Sequence, residues 1–303
     1  LEQVIAQRPD DVDYLYEYGQ ILIDLENYDH ALEIADRILE LAVTDPRGYA
    51  LQATGLVFTG SPSSAIPVAT AGIELDSSFA PLYSALARAY VDTARYEEAL
   101  NTGLLAVQLA PYDADAHRSY AYVLTLSGAP IDATNELEQA IAIDPNRVPA
   151  YFELAFLYLA QNRDEEAIDI YNQILAIQPG NPQAFLRLCL AYRKVGQFER
   201  ALGYCQDAVN ADPESSAAQY QLGRMLYNNR DWQGALDAFE ACSGINPSSL
   251  ECNYYQGLAH YYLGDCDLAW SILFNSLAVA RDTNAETAVE DIQLGMRAVG
   301  ELC

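Results

Sequence analysis

Alanine stands at every thirty-fourth position through most of this 303-residue chain: Ala31, Ala65, Ala99, Ala133, Ala167, Ala201, Ala235 and Ala269. A second column with the same step admits only small residues: Gly19, Ala53, Ala87, Ala121, Ala155, Cys189, Gly223 and Gly257. A third carries Pro9, Pro111, Pro145, Pro179, Pro213 and Pro247. No residue is inserted or deleted between the first and last members of these columns. A fixed step of this size means one structural repeat copied and stacked, since one copy cannot bury its apolar face alone and a stack can. Function in such a chain is expected to reside on a surface.

The repeat from Val148 to Asn181 shows what is copied. Its first half, VPAYFELAFLYLAQ, places Tyr151, Leu154, Ala155 and Tyr158 at the three-and-four spacing of a helix face. Asn162, Arg163 and Asp164 break the pattern and read as a turn. The second half, EEAIDIYNQILAIQP, sets Ala167, Ile170, Tyr171, Ile174 and Leu175 on one face of a second helix. Pro179 closes it, because proline cannot continue the intrahelical hydrogen-bond ladder. Ala155 and Ala167 face each other. Small side chains there allow the two axes to approach while larger neighbours fill the surrounding space.

This repeat resembles the tetratricopeptide repeat, whose pattern Tyr151, Leu154, Ala155, Tyr158, Ala167, Tyr171 and Pro179 match, with Ile174 larger than usual at a small site. The resemblance covers nearly the whole chain. It departs locally: Val43, Ser77 and Arg281 replace the closing proline, and Gln52 and Gln256 replace the leucine, so those repeats are expected to be looser. The implied fold is all-α, a right-handed superhelical solenoid of antiparallel helix pairs with a C-terminal capping helix. Eight repeats are expected at 12–45, 46–79, 80–113, 114–147, 148–181, 182–215, 216–249 and 250–283. Residues 1–11 read as the end of a preceding repeat's second helix. Together with a first residue that is Leu rather than Met, they point to more sequence upstream. Residues 284–303 are amphipathic and more polar, and read as the cap that solenoids need for solubility.

The formal net charge is −27, from 43 acidic and 16 basic residues, and Lys194 is the single lysine. An acidic array repels nucleic acid and anionic membranes and attracts basic partners. The plainer reading is that the acids keep a long apolar array soluble. No apolar run approaches the roughly 20 residues needed to span a bilayer. No signal peptide is present, although a cleaved one would leave no trace.

The resemblance implies that the first helices line a concave face through their second, fifth, ninth and twelfth positions. Eight of these thirty-two positions are aromatic, five are basic and three acidic, so the inferred groove is weakly positive inside an acidic shell. From the fourth repeat onward it reads as an apolar strip centred on Phe152, Phe156, Leu159, Leu186 and Leu190. Exposed apolar patches of that extent mark binding sites, and aromatics with arginine dominate interface energetics. The expected occupant is an apolar or amphipathic segment of a partner protein. Phe152, Phe156, Leu186 and Leu190 would anchor it, and Arg88, Arg118, Arg193 and Arg224 would pair with carboxylates at its ends. Tyr122, Tyr220, Tyr227 and Tyr254 complete the set. Alternatively, some inward positions pack on adjacent first helices and are partly buried. A carboxylate clamp of the family's co-chaperones is not expected. That clamp needs a lysine–asparagine pair, then asparagine, then lysine and arginine over three successive repeats, and no three repeats here offer it.

All six cysteines lie between Cys189 and Cys303, at spacings that match no zinc signature. In the repeat frame three local disulfides are expected: Cys189 with Cys205, Cys242 with Cys252, and Cys266 with Cys303. Cys189, Cys205 and Cys242 could instead stand in for alanine as small apolar residues. Disulfides favour a periplasmic, secreted or cell-surface location over a cytoplasmic one. His30, His117 and His260 sit at a helix start and two packing columns, and none is expected to have a Cys, Asp or Glu partner placed for a metal or a triad. No phosphate-binding glycine loop or nucleophile motif appears. The expectation is a non-enzymatic interaction scaffold without cofactor. The alternatives are a self-assembling structural protein, or the scaffold region of a larger enzyme or complex.

Overall fold

The computed structural model describes residues 10–302. The expected helix end at residues 1–9, and Cys303, lie outside the described residues. Among the described residues all regular structure is helical. The helices are α1 (Val12–Asp24) and α2 (Tyr28–Leu41), α3 (Pro46–Phe58) and α4 (Pro62–Leu75), α5 (Ala80–Asp92) and α6 (Tyr96–Leu109), and α7 (Ala114–Leu126) and α8 (Pro130–Ile143). There follow α9 (Val148–Ala160) and α10 (Asp164–Ile177), α11 (Pro182–Lys194) and α12 (Phe198–Ala211), α13 (Ser216–Asn228) and α14 (Trp232–Ile245), and α15 (Leu250–Leu263) and α16 (Cys266–Asp282), before a final α17 (Glu286–Leu302). They fall into two compact units, residues 1–157 and 158–303. Each is a stack of helix pairs.

The small columns lie at the helix–helix contacts. All eight alanines of the first column have zero exposure. In the second column Ala53, Ala87, Ala155 and Cys189 are equally inaccessible. Glycine stands there where the facing residue is bulky: a Cβ on Gly223 would lie 2.6 Å from Phe239, and one on Gly257 2.8 Å from Leu273. Polar residues at the leucine site find partners in the preceding second helix. Gln52 donates to Asp36 at 2.8 Å, and Gln256 accepts from Ser243 at 3.1 Å.

Capping follows the same period. Asp11, Asp45, Asp113, Asn181, Ser215 and Ser249 precede first helices, and each accepts from a backbone N–H of the opening turn. This satisfies donors that the helix itself leaves open. Every first helix then ends on a left-handed residue: Glu26, Gly60, Ala94, Gly128, Asn162, Gly196, Arg230 and Gly264, all thirty-four apart. The following N–H closes a six-residue loop in each case, as in Asn27 N–H to Leu22 O at 2.8 Å and Ala129 N–H to Leu124 O at 2.9 Å. This is the Schellman geometry, and it turns the chain sharply into the second helix.

Second helices stop where proline follows. They also stop at Leu41 and Leu75, where Val43 and Ser77 take its place. With Arg281 in place of proline, α16 runs to 17 residues against 14 for the second helices before it. In the C-terminal unit α17 packs on α16, burying Ile292, Met296 and Val299 against Leu273 and Leu277.

Disulfides tie the C-terminal unit. Cys189–Cys205 joins α11 to α12 with Cα atoms 5.0 Å apart, and Cys242–Cys252 joins α14 to α15 across 5.9 Å. Cys266 is also disulfide-bonded.

Candidate functional site

In the N-terminal unit the inward positions of α1, α3, α5 and α7 converge. Tyr16, Gln20, Thr54, Ser84, Arg88 and Arg118 line one cavity of about 100 Å³. Arg88 is 7% exposed, and its guanidinium carbon lies 5.1 Å from the ring centroid of Phe58 and 4.4 Å from that of Tyr122. Its one hydrogen bond among the described residues runs from Nε to Ser119 Oγ at 3.4 Å. Burial pulls its guanidinium below the usual arginine range. Tyr122 donates to Asp92 at 2.7 Å, and burial together with that bond pushes its phenol up to about 12.

The other arginines there are committed to carboxylates. Arg118 meets Glu153 at 2.8 Å. Arg147 reaches Asp115 at 2.6 Å and Asp24 at 2.7 Å, so it ties the start of α9 to α7 and to the end of α1. Arg47 holds Asp13 at 2.6 Å and Asp45 at 2.7 Å. Of the expected anchors in this unit, Phe152 is half-buried and Phe156 is 62% exposed.

In the C-terminal unit Leu159, Leu186, Leu190, Arg193, Tyr220, Arg224, Tyr227 and Tyr254 are all half-buried. Arg193 has no ion pair among the described residues. Arg224 lies over Tyr255 at 4.8 Å and Tyr220 at 5.7 Å, and donates from Nη1 to the Tyr220 hydroxyl at 2.9 Å. Its Nε is buried without a hydrogen-bond partner. Arg224, Tyr220, Tyr254 and Tyr255 wall a recess of about 410 Å³, closed on one side by Asp291 and Ile292 of α17. Beside it Tyr227 contacts Trp232, Tyr255 and Tyr262 edge-on, and Trp232 stacks on Tyr262 at 4.2 Å. Burial raises the Tyr227 phenol above its ordinary range.

The inward-position rule misses Tyr255, Tyr262, Trp232 and Asp291. The paired tyrosines at 254–255 and 261–262 carry a signal for the first two, since adjacent rings on a helix must reach beyond a single line of positions. Two histidines have single carboxylate neighbours: His117 Nδ1 sits 2.6 Å from Glu136 on the second helix of the same repeat and its Nε2 3.2 Å from Pro111 O, while His260 lies 3.4 Å from Asp265.

The architecture defines an α-helical repeat scaffold. Residues 1–54, 124–190 and 186–249 match the tetratricopeptide repeat, together more than half of the chain. The chain belongs to the tetratricopeptide repeat family. No curated protein matches it. Among solved structures it is similar to a chain of the APC/C hetero-tetramer Cut9–Hcn1, with 16% identity, TM-score 0.62, and coverage of 96% of this chain and 56% of that one. Yeast Tom70 gives 18% identity, TM-score 0.59, and 91% and 59% coverage. TTC0263, a tetratricopeptide protein of Thermus thermophilus, gives 25% identity, TM-score 0.53, and 59% and 98% coverage. The chain thus spans less than two thirds of the two longer proteins. Among the described residues no helix is long and apolar enough to cross a membrane.

Proposed function

We propose that this protein is a non-enzymatic scaffold that holds an apolar or amphipathic segment of a partner protein against its first-helix side chains. Family membership supports the general role, since tetratricopeptide repeats serve broadly as protein-interaction scaffolds. One observation carries the specific reading. In a chain with 43 acidic residues, Arg193 and Arg224 on the first helices of the C-terminal unit stay free of any carboxylate among the described residues. Arg193 shares α11 with Leu186 and Leu190, and Arg224 lies among Tyr220, Tyr254 and Tyr255. Arginine and tyrosine in a half-desolvated recess are the residue types that anchor interfaces. A partner segment with apolar side chains and a carboxylate would satisfy Arg224 and cover the leucines. Phe156 of the N-terminal unit, 62% exposed, offers an apolar contact of its own. The acidic surface disfavours nucleic acid as the partner.

The test is affinity capture from native extract with the full chain, a Leu190→Asp/Arg224→Glu variant and a Phe152→Asp/Phe156→Asp variant. A partner held by the parent and lost by a variant of unchanged helix content supports the reading. Equal capture by all three refutes the anchor assignment. A second reading, self-assembly, is favoured by Trp270 and Phe274 on α16, 44% and 57% exposed. Mass that rises with concentration in the absence of ligand would support it.

We further infer a periplasmic, secreted or cell-surface location. The disulfides of the C-terminal unit support this, because such bonds persist only in oxidising compartments. Free thiols counted at Cys189, Cys205, Cys242 and Cys252 in unreduced protein would oppose it.

A further inference from the structure

The charged groups around the cavity of the N-terminal unit are compensated, with one exception. Asp24 and Asp115 share Arg147, and Glu153 takes Arg118. Asp113 accepts the backbone N–H groups of Asp115 and Ala116 at the start of α7. Asp92 accepts the Tyr122 hydroxyl. Arg88 alone lacks a carboxylate within ion-pair range among the described residues, although it is the most deeply buried of these cations. The nearby rings of Phe58 and Tyr122 stabilise the guanidinium without neutralising it. A buried charge left without a counter-charge is costly, and arginine presents five donors of which Ser119 takes one.

We propose that this cavity is a site for one small free oxyanion, bound in the plane of the Arg88 guanidinium. About 100 Å³ of water-accessible space, where one water needs about 10–15 Å³ by that measure, gives room for a carboxylate or phosphate group. The Arg147–Asp24 bridge joins two of the cavity's own walls, which favours a small diffusing ion over a threaded chain. Planar, forked donors suit such an oxyanion, since two parallel N–H groups meet two oxygens. The site is separate from the partner surface of the C-terminal unit and does not depend on it.

The experiment is calorimetric titration of the full chain with sodium acetate and, separately, sodium phosphate at constant ionic strength. Parent, Arg88→Met and, as a control in the other unit, the exposed Arg200→Met are compared. The expected result is saturable one-to-one binding of at least one anion, weakened about tenfold or more in Arg88→Met and unchanged in Arg200→Met. Acetate alone binding would make the ligand a carboxylate, and phosphate alone a phosphate. If Arg88→Met loses its helical circular dichroism, Arg88→Lys replaces it; this variant keeps the charge, loses the fork, and should also bind more weakly. Absence of saturable binding to folded parent, or equal binding by parent and the Arg88 variant, overturns the proposal. So does an aspartate-containing peptide that binds through Arg88 where both free anions fail, because the site would then belong to a partner.

Discussion

The left-handed residue that ends each first helix allows a paired test. Glycine fills the position at Gly60, Gly128, Gly196 and Gly264, while Glu26, Ala94, Asn162 and Arg230 hold the same conformation with φ between 58° and 62°. An L-residue there costs roughly 1–2 kcal/mol from the contact of Cβ with the following carbonyl. Glycine avoids that cost but loses about 0.5–1 kcal/mol through its greater freedom in the unfolded chain. No atom lies within 4 Å of a Cβ built on Gly128, so neighbouring side chains add nothing. Gly128→Ala should therefore destabilise the α7–α8 turn by about 0.5–1 kcal/mol, and Ala94→Gly should stabilise the α5–α6 turn by a similar amount. Repeat arrays do not unfold in one step, so the readout must be local. Amide hydrogen exchange at Ala129 and Arg95, whose N–H groups bond Leu124 O and Tyr90 O, reports each turn directly. Faster exchange at Ala129 in Gly128→Ala and slower exchange at Arg95 in Ala94→Gly are expected. A neutral Gly128→Ala together with a destabilising Ala94→Gly would refute the argument.

Other consequences are open to measurement. Adding a methyl group at Gly223 should cost about 1–3 kcal/mol in urea unfolding, because it meets the wholly buried Phe239; an unchanged midpoint would show that the ring has room to move. Replacing Cys189 and Cys205 together by Ala should lower the stability of the C-terminal unit by about 2–4 kcal/mol, the usual effect of opening a short disulfide loop. The phenols of Tyr16 and Tyr122, both pushed up to about 12, are raised above the unfolded value of about 10. Their contribution to stability is complete below about pH 10 and is lost between about 10 and 12, as unfolded tyrosines ionise first. Ultraviolet titration should show late-ionising tyrosines that Tyr16→Phe and Tyr122→Phe remove; loss of no late component in either variant would contradict the burial argument.

What the sequence determined is what repeats. The alanine column requires close helix contacts at fixed intervals, and all eight members prove fully buried. The pairing of Cys189 with Cys205, and of Cys242 with Cys252, was legible because both pairs lie within or between adjacent helices whose phase the period sets. The left-handed column was not legible. Four of its eight members are Glu, Ala, Asn and Arg, since neighbouring hydrogen bonds hold the turn and composition need not. The fate of the arginines was likewise decided by tertiary structure. Arg147 and Asp24 stand 123 residues apart in the chain and meet across one cavity, while Arg88, Arg193 and Arg224 find no carboxylate among the described residues. Local side-chain spacing decides which residues face inward. Which inward charge meets its opposite depends on how successive repeats rotate, and that rotation is set by packing summed over many contacts rather than by any single residue.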